Sequence, residues 1–232
     1  DPTPARAILA NTSGQYTAKA YGSAVLNLSI GGLNPLAVKY YLKLGAKIIW
    51  MPTLHARNQI EYFGRDPFAN HPGIRLLDEN GDLKPEVLEI LDLIKEYDAT
   101  IATGHISIGE SIAVCNAARE RGVRTVLTHP DWTCTTVPAD VQTQLVKKGV
   151  ILEKLWFDIG INHVTAEYMA QTIRDAGVEN CFMATDRGQS GKEYPVEGLM
   201  MFMDAMLDCG FSVEEIHIMT HENPERVLGL RP

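Results

Sequence analysis

From about residue 22 to residue 228, short apolar runs alternate with amphipathic stretches, with no break in composition. The runs, near residues 24, 47, 100, 125, 150 and 181, are too short for buried helices and read as strands. The stretches between them read as helices. Val87, Leu88, Leu91 and Ile94 fit a 3.6-residue period after Pro85. Asn34 is placed to cap a helix opened by Pro35, and Thr165 to cap one that ends at Gly177. A strand followed by a helix, repeated, gives parallel strands, because each helix carries the chain back to where the next strand must start.

Six such βα units fit either a doubly wound open sheet or a closed (β/α)8 barrel. Polar, ligand-type residues end nearly every strand: Asn27, His105, His129, Glu153 and Asp186. An open sheet concentrates such residues at one switch point, whereas a closed ring brings all of them to one rim. We therefore expect a TIM-barrel-like α/β fold and a single domain over 1–232, supplying about six units and lacking the first one or two. The opening Asp1-Pro2-Thr3-Pro4, without methionine, reads as the start of a fragment or processed chain. Residues 53–84, polar and rich in Gly and Pro, read as a long insertion acting as a lid, with a turn at Asp78–Asp82.

Composition narrows the partners. Hydrophobic residues make up 45% of the 232, enough for a large core, and no apolar run nears the roughly 18 residues of a membrane span. A net charge of −8 argues against a nucleic-acid surface, which needs clustered Lys and Arg. We expect a small-molecule substrate, no nucleic-acid or membrane partner, a homo-oligomer and, with no secretory signal visible, a cytoplasmic location. Cys115, Cys134, Cys181 and Cys209 form no Cys-x-x-Cys pair and read as buried free thiols, Cys134 alone being placed to line a site.

Three runs stop on residues that can hold a metal: Thr100-Ile101-Ala102-Thr103-Gly104-His105, Thr125-Val126-Leu127-Thr128-His129 and Cys181-Phe182-Met183-Ala184-Thr185-Asp186. Neutral imidazole and carboxylate suit zinc or manganese, and such a metal lowers the pKa of bound water from 15.7 toward about 7. The competing reading of each histidine is a hydrogen-bonded strand-end residue, and of Asp186 a cap on the segment that follows. Glu153 is either a fourth ligand or general acid, or a salt-bridge partner of Lys154 or another neighbour. His55 is a substrate contact or a solvated loop histidine. Arg187 grips a substrate carboxylate or forms a structural ion pair, and Asn27 orients a ligand or substrate. His71, His163, His217 and His221 read as surface or capping residues; the last two have helical metal-pair spacing but lack the glutamate of a zincin.

The order strand-His, strand-His, strand-Asp resembles strands five, six and eight of the amidohydrolase superfamily. Asn223-Pro224-Glu225-Arg226-Val227-Leu228-Gly229-Leu230 is similar to that superfamily's closing helix. Gly31-Gly32-Leu33-Asn34-Pro35, Ile49-Trp50-Met51-Pro52-Thr53 and Thr185-Asp186-Arg187-Gly188-Gln189 resemble an uncharacterised amidohydrolase-related group. The resemblance implies His105, His129 and Asp186 as ligands of a divalent metal, with Asp186 also taking a proton from the attacking water. It departs at two points: no His-x-His ends a first strand, and Met51-Pro52-Thr53 stands where the bridging lysine belongs. One metal, zinc or else manganese, is therefore expected rather than two. The function implied is metal-dependent hydrolysis of a small amide, cyclic amide, lactone or related bond. The rivals are a decarboxylase or hydratase of the same superfamily and a non-catalytic barrel that binds a small molecule.

Overall fold

The computed structural model describes residues 2–12, 19–64, 71–160 and 164–231; His163 and part of the 53–84 insertion lie outside them. The chain falls into two compact units, Asp1–Thr125 and Val126–Pro232. Strands alternate with helices in both, an α/β fold.

In the first unit α1 (Thr3–Thr12) precedes β1 (Gly22–Val25), α2 (Pro35–Lys43), β2 (Ala46–Trp50), α3 (Arg57–Phe63), α4 (Pro85–Glu96), β3 (Thr100–Ala102) and α5 (Ile108–Glu120). β1, β2 and β3 pair in parallel, with Ala24 opposite Ile49 and Ile49 opposite Ile101. Those three side chains are fully buried, as parallel strands covered by helices require. Val38 and Leu42 of α2 and Val87, Ile90, Leu91 and Ile94 of α4 complete the core. Each large aliphatic side chain so buried contributes about 1.5–3 kcal/mol. The expected caps are present: Asn34 accepts from the Ala37 amide at 3.2 Å. Ser107 and Glu110 close a capping box at the start of α5. The Asp78 carboxylate accepts from the amides of Asn80 and Asp82, making the expected turn.

Two features differ from the sequence reading. β1 stops at Val25, so Leu28 belongs to a 3-10 turn and Asn27 lies in the loop before it. Residues 57–63 form a helix within the insertion read as loop. Arg-Asn-Gln-Ile-Glu-Tyr-Phe has no 3.6-period apolar stripe, and the helix carries an i,i+4 ion pair from Arg57 to Glu61 at 2.6 Å.

β4 (Arg124–Leu127) straddles the boundary between the units. The second unit continues with α6 (Ala139–Lys147), β5 (Val150–Leu155), α7 (Ala166–Ala176), β6 (Cys181–Ala184), α8 (Pro195–Asp208), α9 (Val213–His217) and α10 (Asn223–Val227). β5 and β6 pair in parallel, Leu152 opposite Cys181. Every residue of β5 is buried, including Lys154. Its ammonium donates to Asp131 Oδ2 at 2.7 Å, Thr172 Oγ1 at 2.9 Å and Gln142 Oε1 at 3.0 Å. All three of its donors are therefore matched, the condition under which a charge tolerates full burial. A π-helical turn at Ile218–Glu222 separates α9 from α10. Asn223, just beyond it, donates to the carbonyls of Val178 and Cys181 at 2.8 and 2.6 Å, tying the last helix to the start of β6.

All four cysteines are free; Cys209 is only half-buried, unlike the other three. Burial pushes the Cys134 and Cys181 thiols up to about 12, so neither is a thiolate at neutral pH. No helix among the described residues is long and apolar enough to cross a membrane.

Candidate functional site

In the second unit, His129 and Asp186 each lie two residues past the end of a strand, β4 and β6. Both adopt left-handed backbone conformations, φ 48° and 47°, unusual for residues with a Cβ and worth about 1–3 kcal/mol of strain each. The loop after His129 fixes its conformation. Thr135 Oγ1 donates to the His129 carbonyl at 2.6 Å and the Trp132 amide to the same oxygen at 3.2 Å. Asp131 anchors this loop to β5 through Lys154.

The His129 ring is almost wholly buried, flanked by Trp132 at 5.3 Å and Phe157 at 5.8 Å between ring centroids. Nδ1 lies 3.1 Å from Asp158 Oδ1, and Nε2 lies 3.5 Å from Asp186 Oδ2. The Asp158 side chain has no solvent exposure, whereas 47% of Asp186's is open. Burial by itself lowers an imidazole pKa. Here the hydrogen bond to Asp158 and the neighbouring carboxylates of Asp186 and Glu153 outweigh it and raise His129 from 6.5 to about 10.

Glu153 is a correction to the sequence reading: it does not end its strand, because β5 continues to Leu155. Nor does it pair with Lys154, which faces α6 and α7 and is held by Asp131, Gln142 and Thr172. Glu153 points the other way, and its buried Oε2 has no hydrogen-bond partner among the described residues. Burial raises its carboxyl to about 8, with the charges of Asp186 and Asp158 adding to the shift and His129 opposing it. Asp158 Oδ2 is likewise buried without a hydrogen-bond partner among the described residues. Burial, offset by the bond to His129, raises the Asp158 carboxyl as well.

Asp158 is the residue that sequence reasoning missed. It follows β5 in a 3-10 turn, Trp156–Asp158, three residues past the strand end. The signal was an acid directly after the apolar Leu155-Trp156-Phe157, beyond a strand that runs two residues further than Glu153.

Arg187, next to Asp186, has a side chain 7% exposed. Its Nε donates to Glu193 Oε1 at 2.6 Å, the ion pair weighed from the sequence, and Glu193 also accepts from Trp156 Nε1 at 2.5 Å.

The remaining sequence-chosen residues belong to the first unit. His105 lies beyond β3, after Gly104, whose φ of +62° and backbone contacts admit no side chain: a Cβ there would sit 2.4 Å from the Met51 carbonyl oxygen. The His105 amide donates to the Pro52 carbonyl at 2.9 Å. Two residues of α3 hold His105. Gln59 Oε1 meets its Nδ1, and Asn58 Nδ2 donates to its carbonyl at 3.2 Å. With Nδ1 as donor to Gln59, the ring's lone pair is on Nε2. His55 is buried rather than solvated. Asn27 Oδ1 accepts from the amides of Thr53 and His55, each at 3.1 Å, and Nδ2 donates to Thr53 Oγ1 at 2.8 Å, so its amide shapes the start of the insertion. His71 caps the Gly73 amide, and the exposed His217 and His221 stack on each other with glutamate neighbours.

Among the described residues, no three His, Cys, Asp or Glu side chains gather as a complete metal cage. What the second unit holds is a pair of donors. Two ligand atoms each about 2.1 Å from a tetrahedral cation lie roughly 3.4 Å apart. The 3.5 Å between His129 Nε2 and Asp186 Oδ2 matches that edge and is long for a charge-assisted hydrogen bond. Asp158 behind Nδ1 is the carboxylate that orients a metal-binding imidazole through its far nitrogen. The donor chemistry of this pair is compatible with a divalent cation.

Solved structures similar to this chain share its fold. An amidohydrolase from Pseudomonas aeruginosa aligns with a TM-score of 0.60 at 14% identity, over 84% of this chain and 67% of that one. A metallo peptidase from Rhodobacter sphaeroides aligns at 0.57 and 13%, over 85% of this chain and 59% of that one, so this chain spans about three fifths of the peptidase's length. A 2,6-dihydroxybenzoate decarboxylase from Rhizobium aligns at 0.55 and 10%, over 99% of this chain and 77% of that one. The chain therefore shares the TIM-barrel-like α/β fold of these proteins, as its alternating strands and helices led us to expect. No curated protein matches it. Residues 1–153, well over half of the sequence, match the family of unknown function DUF6282, and the chain belongs to that family.

Proposed function

We propose that this protein is a metal-dependent hydrolase of a small amide, cyclic amide, lactone or related bond. The observation that carries the reading is the His129 constellation: Nδ1 clamped by a buried carboxylate, and Nε2 at a ligand-edge distance from a half-exposed one. His129 and Asp186 would hold one divalent cation, zinc or manganese. His105, its Nδ1 turned onto Gln59 within its own unit, is the further ligand the resemblance implies. A cation bound there supplies an activated water at neutral pH.

The chain's own residues supply the proton path. Asp186, its side chain half open to solvent, accepts a proton and returns it to the leaving group. Glu153 keeps its proton near neutral pH because its site is buried, and is the general acid of the set. Arg187, beside Asp186, is the substrate-binding residue proposed in the second unit; in the first, His55 is proposed as a substrate contact, and Asn27 shapes the loop that carries it. The charge of −8 supports a small-molecule partner over nucleic acid; a homo-oligomer in the cytoplasm remains part of the proposal.

The test is metal content and turnover together. Purified protein should bind about one zinc per chain and hydrolyse a member of a lactone and amide panel. His129→Ala and Asp186→Ala should each lose both properties while keeping the far-UV circular dichroism of the parent. Native protein that takes up no zinc or manganese at micromolar concentration would instead support a non-catalytic binder.

A further inference from the structure

Arg187 is a buried cation with one donor group unspoken for. Its side chain is 7% exposed, and Nη1 has no hydrogen-bond partner among the described residues. A buried donor left without an acceptor is destabilising, and more so when it is charged. The ion pair with Glu193 does not remove this cost, because Glu193 accepts from Nε and so occupies the guanidinium's other edge. Glu193 is itself fixed by the Trp156 indole, and the Arg187 stem packs where a Cβ on Gly198 would come within 3.2 Å. The guanidinium is thus held rigidly and only partly satisfied, as a binding cation must be before its ligand arrives.

Its position relates it to the candidate centre. Arg187 Cζ lies 5.7 Å from the centroid of the Phe157 ring, and the His129 ring lies 5.8 Å from the same centroid. One phenyl ring therefore neighbours both groups, and the guanidinium carbon and the His129 ring centre are no further apart than the sum of those two distances. The acceptor geometry that a guanidinium selects is the planar, two-oxygen carboxylate.

We propose that the substrate carries a carboxylate, held by Arg187 Nη1 against the Trp156–Phe157 wall, while its reacting bond lies at His129 and Asp186. This deepens the hydrolase reading and rests on it only for the second half of the statement. The carboxylate subsite itself is testable without metal or turnover.

The experiment is calorimetric titration of the chelator-treated, full-length protein with benzoate, benzamide and inorganic phosphate. Benzoate should bind at least tenfold more tightly than benzamide. Arg187→Gln should lose that preference, and Arg187→Lys should keep only part of it, since an ammonium lacks the fork. Equal affinity for benzoate and benzamide overturns the proposal, as does a preference that survives Arg187→Gln. Phosphate binding more tightly than benzoate also overturns it, by making the site a phosphate cradle. If Arg187→Gln does not fold, the benzoate-to-benzamide ratio of the unaltered protein decides alone. Loss of the hydrolase reading, by absence of metal binding, leaves these titrations unaffected, so the two failures are told apart.

Discussion

At the scale of single residues, the second unit concentrates electrostatic tension around one imidazole. His129 is buried, backbone-strained and set among three acids, two of which, Glu153 and Asp158, each keep an oxygen without a hydrogen-bond partner among the described residues. Asp158 decides which nitrogen of His129 faces outward. Asp158→Asn preserves its shape and removes its charge, so the ring should stay in place but become a poorer donor. We expect zinc affinity to fall by about 10–100-fold, read by competition with a chromophoric chelator. Unchanged affinity would mean that Asp158 serves packing only. His129 and Asp186 were legible from sequence because each closes an apolar run. Asp158 was not, since the charged pair Glu153-Lys154 made the strand read as ending at Glu153, five residues before it.

At the scale of elements, β5 organises the second unit through its two faces. Lys154 links β5 to the loop after β4 and, through Gln142 and Thr172, to α6 and α7. Lys154→Met leaves the Asp131 carboxylate buried without its cation, and should destabilise the protein by about 3–5 kcal/mol in urea unfolding. Adding Asp131→Leu should recover much of that loss, because a buried ion pair replaced as a pair by apolar groups is often neutral. A double variant as unstable as the single one would place the effect in packing rather than charge. The six strands and most helices could be read from sequence because caps and apolar periodicity mark them. Helix α3 could not, since a short exposed helix carries no apolar stripe. Yet its Gln59 and Asn58 fix His105, so the part of the insertion read as a lid also contains a support.

At the scale of the whole molecule, these groups set a pH dependence. The folded-state pKa of His129 is raised from 6.5 to about 10, so its contribution to stability is complete below about pH 6.5 and is lost as pH climbs toward 10. Glu153 acts in the same direction: its folded pKa of about 8 lies above the ordinary 4.5, so raising the pH through that window favours the unfolded chain. Metal-free protein should therefore lose stability steadily from pH 6.5 to 10 in denaturant titrations. His129→Gln should flatten the upper part of that slope. Zinc should stabilise more at pH 9 than at pH 6, because the imidazole must lose its proton to bind it. A flat profile in chelator would contradict the charged environment described for His129.

The alternation of β5 has a consequence for how this sequence can diverge. A single peptide bond separates an acid facing the His129 cluster from an ammonium facing the helices. Deleting one residue upstream in that strand would deliver the lysine into the acidic pocket and leave a leucine in the nest built for a cation, and inserting one would deliver the glutamate into that nest. Lineages of this chain should therefore tolerate length changes in the loops on either side of β5, and almost none within it.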